Sequence, residues 1–338
     1  MLAKLILPLG FLIISFAATV LADEAVESPP SDAEVPTWTL RYKFVPDQKL
    51  RYRNIENVTL DAMQGENRKV DVTGLEQRRI FTVSSVEESG AARLTMQYEF
   101  VRMQSQTNDF EPVLFDTTME SDDIPPEFRT VARQLKGSAP NFWISSLGSA
   151  LRESDSPDGF QPVEKGVARA GNVTVEDKKP ESDTVQQAVA TKPAATKEAS
   201  ESSDAVTFLM PLPENPVAVG DTWRETLPVN VRVTAEISRQ INILRTFRLE
   251  SVENGIATIS FRSSVEAAVK TPTMRAQLIK ATPKGTLTFD IDRGVMVKRE
   301  LRYDETVLNA IGPNSVVLCN GTSTEELLEN TSTDAAAE

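Results

Sequence analysis

The sequence predicts an all-β protein with minor α content: an antiparallel curved sheet, or half-barrel, built from two related halves with one short helix. Three observations carry this. Apolar and polar residues alternate with period two through most of the chain, as half-buried antiparallel strands require. Helical periodicity is confined to short stretches. A strand–turn–strand pattern also occurs twice, at a nearly constant offset.

In the first half, Trp38, Leu40, Tyr42 and Phe44 alternate with polar residues, and so do Leu94, Met96, Tyr98 and Phe100. The expected helix spans 127–136, with Phe128, Val131, Ala132 and Leu135 on one face, Pro125-Pro126 before it and Gly137 after it as a C-cap. The second half repeats the strand pattern. Val229, Val231, Val233, Ala235 and Ile237 alternate as one strand, and Ala257, Ile259, Phe261, Ser263 and Val265 as another. Leu287, Phe289 and Ile291, then Val295, Val297, Arg299, Leu301 and Tyr303, flank Asp292-Arg293-Gly294, a hairpin with glycine at its turn. A second, short helix is expected from Ser323, with Glu326 completing a capping box, through Glu329.

Phe81-Thr-Val83-Ser-Ser85-Val86-Glu87 aligns with Phe247-Arg-Leu249-Glu-Ser251-Val252-Glu253, and each copy runs on to a glycine, Gly90 or Gly255. Two readings stay open. Either two hairpins of similar twist selected similar residues, or two halves share one curved-sheet plan.

The N-terminus speaks to compartment. Lys4, the apolar run from Leu5 to Leu21 and the Val20-Leu21-Ala22 exit read as a secretory signal over 1–22. The alternative is an uncleaved membrane anchor, since the run approaches the length that spans a bilayer. The expected order is then an acidic leader over 23–36, a first β half over 37–163 and a disordered insertion over 164–205. A second β half over 206–322 and a tail over 323–338 follow. The insertion is rich in Ala, Lys, Glu, Ser, Thr and Pro and lacks aromatic residues, so it cannot offset its ordering entropy by burial. No stable membrane span is expected after signal cleavage, and the protein is expected in the periplasm or outside the cell.

Composition removes most catalytic chemistry. The chain has no histidine and a single cysteine, Cys319, so no Ser-His-Asp triad, Cys-His pair or internal disulfide can form. Its net charge of -13 opposes nucleic acid. No cofactor and no metal site are expected. Asp290-x-Asp292-x-Gly294 begins like a calcium loop but lacks the later ligands, and a hairpin turn accounts for it. The remaining catalytic candidates are carboxylate pairs: Glu111 with Asp116, Asp122 with Asp123, and Asp304 with Glu305. Neighbours on a strand face opposite ways, and Asp122-Asp123 suit a helix N-terminus, so capping or solvation is favoured for these groups.

Two blocks carry a resemblance. The first runs from Val113-Leu-Phe115-Asp116 through the proline-led helix to Phe142–Ser146 and Gly148. The second is Leu212-Pro-Glu-Asn-Pro216-Val-Ala-Val219-Gly220-Asp221-Thr-Trp223. Together they resemble a family of uncharacterised secreted bacterial β-rich proteins, a domain of unknown function in which a Gly-Asp-x-Trp step opens the second half. The resemblance implies an architecture similar to the half-barrels of periplasmic lipoprotein carriers, and no catalytic residue. Gly220, Asp221 and Trp223 are expected to mark a turn and a strand start, with a ligand-stacking Trp223 as the rival reading.

The function expected from these readings is non-catalytic: binding of a lipid or other apolar ligand, or of an envelope protein, on a curved sheet. An envelope structural or assembly factor acting through sheet edges and the insertion is the first alternative, and a carboxylate-dependent hydrolase the second. A concave face filled by the protein's own side chains would count against the groove.

Overall fold

One antiparallel sheet joins both halves of the chain. The structure is a computed structural model that describes residues 35–136, 139–152, 161–162, 209–234, 237–269 and 271–329. The expected signal and insertion lie outside the described residues, as does all but the end of the leader. The first-half strands are β1 (Thr37–Trp38), β2 (Lys49–Gln64), β3 (Asn67–Val86), β4 (Ala92–Thr107), β5 (Val113–Asp116), β6 (Asn141–Ile144), β7 (Ala150–Arg152) and β8 (Gln161–Pro162). The second-half strands are β9 (Val217–Ala218), β10 (Thr222–Arg232), β11 (Ser238–Glu253), β12 (Ile256–Val265), β13 (Lys284–Asp290), β14 (Val295–Leu308) and β15 (Ser315–Leu328). β1 and β9 pair with each other. The rest form a thirteen-stranded sheet in the order β10-β11-β12-β13-β14-β15-β2-β3-β4-β6-β7-β8, with β5 also on β4. The halves meet where β15 pairs with β2, from Ser315 opposite Gln64 to Leu328 opposite Arg51.

The sheet curls. β3 and β11 are separated by β12, β13, β14, β15 and β2, which in a flat sheet would hold them about 29 Å apart. Yet Phe81 of β3 and Phe247 of β11 belong to one continuous apolar cluster and are fully buried. Bulges between Arg78 and Arg79, Val83 and Ser85, Leu249 and Ser251, and Thr288 and Phe289 supply local bends. Gly285 permits another close approach: a Cβ there would sit 1.9 Å from the Glu300 carbonyl oxygen of the neighbouring strand.

The repeated sequence folds as a repeated structure. Phe81 and Val83 of β3 face Met96 and Leu94 of β4, and Phe247 and Leu249 of β11 face Phe261 and Ile259 of β12. Each hairpin then slips its register at the same place, between Val83 and Ser85 and between Leu249 and Ser251. A shared bulge is more than generic hairpin chemistry supplies, which favours one plan used twice.

The end of the sheet carrying these two turns is here called proximal, and the end carrying the β2–β3 and β14–β15 turns distal. The proximal concave face is filled. Residues 39–48 cross it, with Tyr42 N–H donating to Ser146 O (2.8 Å) and Lys43 N–H to Gly294 O (3.0 Å), so this segment bridges the two halves. Tyr42 sits edge-on to Phe289, with ring centroids 5.3 Å apart. Leu209, Met210 and Leu212 close the same cluster. At the distal end, α1 (Arg129–Leu135), entered through a 3-10 turn at Pro126–Phe128, covers Phe115. A second helix, α2 (Pro272–Leu278), packs Met274 and Leu278 on Val231, Ile241 and Ile243.

Several expectations need correction. The helix expected from Ser323 is the end of β15, where Ser323 and Glu325 are buried inward, so the tail expected over 323–338 begins as a strand of the sheet. A capping-box pattern cannot outweigh fourteen residues of register with β2. Val229 to Ile237 is not one strand: β10 ends at Arg232, and Val233 N–H donating to Ile237 O (2.8 Å) closes a turn there. Leu40, Tyr42 and Phe44 are alternately buried as expected, but on an irregular segment that finds its partners in two different places. The helix α2 was not expected; seven residues with two buried apolar side chains leave little periodicity to read.

Candidate functional site

Cross-strand register decides which side chains share the concave face, because directly opposite residues point the same way. From β10 to β12, that row reads Glu225 opposite Arg245 and Arg245 opposite Ser263. From β14 to β3 a second row reads Arg299 opposite Glu325, Glu325 opposite Asn54 and Asn54 opposite Gln77, with Arg79 one pair further along; through β13 this row continues to Leu287 and Ile259, four residues proximal of Ser263. The two rows place a belt of charged and polar groups on the inside of the sheet, bordering the filled proximal cluster.

Glu325 is the centre of the belt. Its side chain is 1% exposed, and it accepts hydrogen bonds from Arg79, itself 8% exposed, and from Arg299 (2.6 Å). The Arg79 guanidinium also lies over the Phe81 ring, 5.7 Å from its centroid. Asn54 Nδ2 donates to Ser323 Oγ (3.3 Å). At the edge of the belt, Tyr303 donates to Glu56 Oε2 (3.5 Å), and Lys280 Nζ lies 3.7 Å from Glu56 Oε1.

The second-half part of the belt is held less well. Arg245 Nη1 is 3.8 Å from Glu225 Oε2, an ion pair without hydrogen-bond contact. Arg245 Nε, Ser263 Oγ and Arg79 Nε are buried with no hydrogen-bond partner among the described residues. Burial pushes the Arg245 guanidinium down from its ordinary value. Glu225 opposes this, and the like charge of Arg299 adds to it. The Tyr303 phenol is pushed up by burial and by the Glu56 carboxylate.

Of the expected carboxylate pairs, Glu111, Asp116, Asp122 and Asp123 are exposed or engaged with other groups, and Asp304 and Glu305 point to opposite faces. Asp116 accepts from Thr118 N–H (2.9 Å) and lies 3.7 Å from Arg102; its carboxyl is held low first by the Thr118 hydroxyl. Glu111, Asp122 and Asp123 are exposed. Asp304 faces out, 3.5 Å from Lys284, while Glu305 faces in, opposite Cys319. Asp290 Oδ1 accepts from Arg293 N–H (2.8 Å) and ties the hairpin turn.

The Gly-Asp-x-Trp step forms a turn. Gly220 has φ +96°, Asp221 Oδ2 accepts from Ala218 N–H (2.8 Å), and Trp223 Nε1 donates to Pro211 O (2.9 Å). The Trp223 ring stacks on Phe247 with centroids 5.6 Å apart.

Sequence reasoning missed the belt, although three of its members, Arg299, Tyr303 and Ser263, stand in the alternating rows it identified. The usable signal is a charged residue at an inward position of an otherwise apolar row: Arg245 between Ile243 and Phe247, or Glu225 between Trp223 and Leu227.

A charge belt inside a curved antiparallel sheet defines a β-rich scaffold. The chain belongs to a family of unknown function, DUF6263, whose profile matches residues 89–296. That span contains both of the blocks that carried the resemblance. No curated protein matches the chain. Among solved structures, lipovitellin, solved for its lipid–protein interactions, aligns with TM-score 0.42 and 11% identity over 88% of this chain and 26% of that one. The chain thus spans about a quarter of the lipovitellin chain it aligns with.

Proposed function

We propose that the protein is a non-catalytic binding protein, exported across a bacterial membrane, that takes an apolar or amphiphilic small molecule on the distal half of its concave face. One observation carries the reading. On the inward rows beyond the belt, Leu60, Leu75, Leu227 and Val229 stay half-buried, although Val58, Val231, Ile243 and Val317 beside them are buried and α2 covers part of this face, whereas the proximal rows are closed throughout by the protein's own side chains. The filled proximal cluster removes that part of the face as a groove and confines the proposal to the distal half. The absence of histidine from the sequence, the engagement of Asp116 with Thr118 and Arg102, and the opposite facings of Asp304 and Glu305 support a non-catalytic role. The signal-like N-terminus supports export.

The test is native mass spectrometry of the full chain, exported and purified without detergent, with solvent extraction of the same sample. A co-purifying apolar or amphiphilic molecule is the expected result. A bare chain mass with a blank extract would overturn the proposal.

A further inference from the structure

We propose that the cross-strand pair Arg245 and Ser263 seats an anionic head group, a carboxylate or phosphate, of an amphiphile whose tail lies against Leu227, Val229 and Val265. This rests on the reading of the distal concave face as a ligand site.

Arg245 and Ser263 stand directly opposite each other on β11 and β12, so both side chains rise from the same face. Arg245 Nε and Ser263 Oγ each bury a donor without a partner among the described residues, and what both lack is an acceptor. The carboxylate nearest by register, Glu225, stands 3.8 Å from Arg245, beyond hydrogen-bond reach. The side chains of Arg245 and Glu225 are 21% and 17% exposed, so part of each reaches the surface, while Arg245 Nε and Ser263 Oγ themselves are buried and a ligand must displace the groups that cover them.

A guanidinium fork beside a hydroxyl suits the planar oxygens of a carboxylate or the oxygens of a phosphate. The apolar rows locate the rest of the ligand. Two residues distal along the same strands, the inward positions become Leu227, Ile243 and Val265; Ile243 is fully buried beneath α2, and Leu227 and Val265 are half-buried at the margin of that cluster. A charged seat directly beside an apolar row fits a molecule with one charged end.

The experiment is isothermal titration calorimetry of the full chain with sodium dodecanoate, 1-dodecanol and inorganic phosphate. Dodecanoate is expected to bind about tenfold or more tighter than dodecanol, as a charge-assisted hydrogen bond implies. Arg245→Gln should erase that preference. Glu225→Gln, which removes a competing carboxylate, should tighten dodecanoate binding, an effect that loss of structure cannot imitate. Phosphate binding that Arg245→Gln abolishes would support the seat and assign it to a free anion rather than a lipid head. Equal binding of dodecanoate and dodecanol would overturn the seat while leaving the concave site intact. No binding of any probe would overturn both. If Arg245→Gln does not fold, an unchanged dodecanoate affinity in Glu225→Gln overturns the seat.

Discussion

Two strips of the same concave face lie a few residues apart on the same strands and are built on opposite principles. The proximal strip is apolar: Phe81, Phe247, Leu249, Ile259 and Phe289 are fully buried, and one of its phenols, Tyr42, both donates to Met210 O and accepts from Met210 N–H (3.1 Å each). The belt is charged, and it leaves Arg79 Nε, Arg245 Nε and Ser263 Oγ without partners among the described residues. Apolar burial stabilises the fold directly. Buried charge does so only when every group is paired and hydrogen-bonded. The proximal strip therefore holds the sheet closed. The belt is a poor device for that task, which is why function is sought there.

The largest effects come from breaking either strip. Phe247→Ala empties a fully buried site between Trp223 and Phe261 and should lower stability by about 3–5 kcal/mol. Glu325→Ala strands two buried guanidiniums and should lower it by a similar amount, about 3–5 kcal/mol. Urea unfolding of both variants checks this. A Glu325→Ala loss below that of a surface substitution would show that the belt is solvated and not buried.

The next prediction separates the strips. Replacing Arg79, Glu325 and Arg299 together by Met, Leu and Met should be neutral or should stabilise by about 1–4 kcal/mol, because the whole desolvation penalty is removed with the charges. No combined replacement in the proximal strip has that scope, since its groups carry no such penalty. A triple variant as unstable as Glu325→Ala would mean that the belt holds the fold after all.

Legibility in the sequence follows the same division. Period-two alternation identified the sheet and most of the proximal strip, because burial of one strand face is a local property of the pattern. The Phe81 and Phe247 repeats coincide with hairpins that carry matching bulges. The joint of β15 with β2 was not legible, because the partners are more than two hundred residues apart and nothing local in Ser323 to Glu326 records the pairing. That is why a capping-box pattern read as a helix there. The belt was hidden for a related reason. A single Arg299 or Glu225 in an alternating row reads as a tolerated polar exception until register lines up the exceptions of several strands.

Alkaline pH should weaken the fold through its buried phenols, two of which lie in the proximal strip. Burial raises the phenols of Tyr42 and Tyr52 above the ordinary value of about 10. Their neutral forms are favoured in the folded chain, so the contribution is fully present below pH ~10 and is lost as the unfolded chain ionises above it. Each phenol should reduce stability by about 1.4 kcal/mol per pH unit in that range. Urea midpoints between pH 8 and 12 measure the slope, and Tyr52→Phe should make it shallower. An unchanged slope in that variant would place the phenol in contact with water.

The smallest effects have opposite signs for the same chemical change. Tyr42→Phe removes a hydroxyl that serves both Met210 N and Met210 O, leaving buried backbone groups unsatisfied, and should cost about 1–3 kcal/mol. Ser263→Ala removes a buried hydroxyl that satisfies nothing among the described residues, and should be neutral or stabilise by a few tenths of a kcal/mol. Thermal melts of the two variants decide it. If Ser263→Ala also destabilises, the hydroxyl has a structural partner and the belt is as well satisfied as the strip below it. If it does not, stability gained by removing Ser263 together with loss of dodecanoate binding would be the trade expected where a site is kept for its ligand and not for its fold.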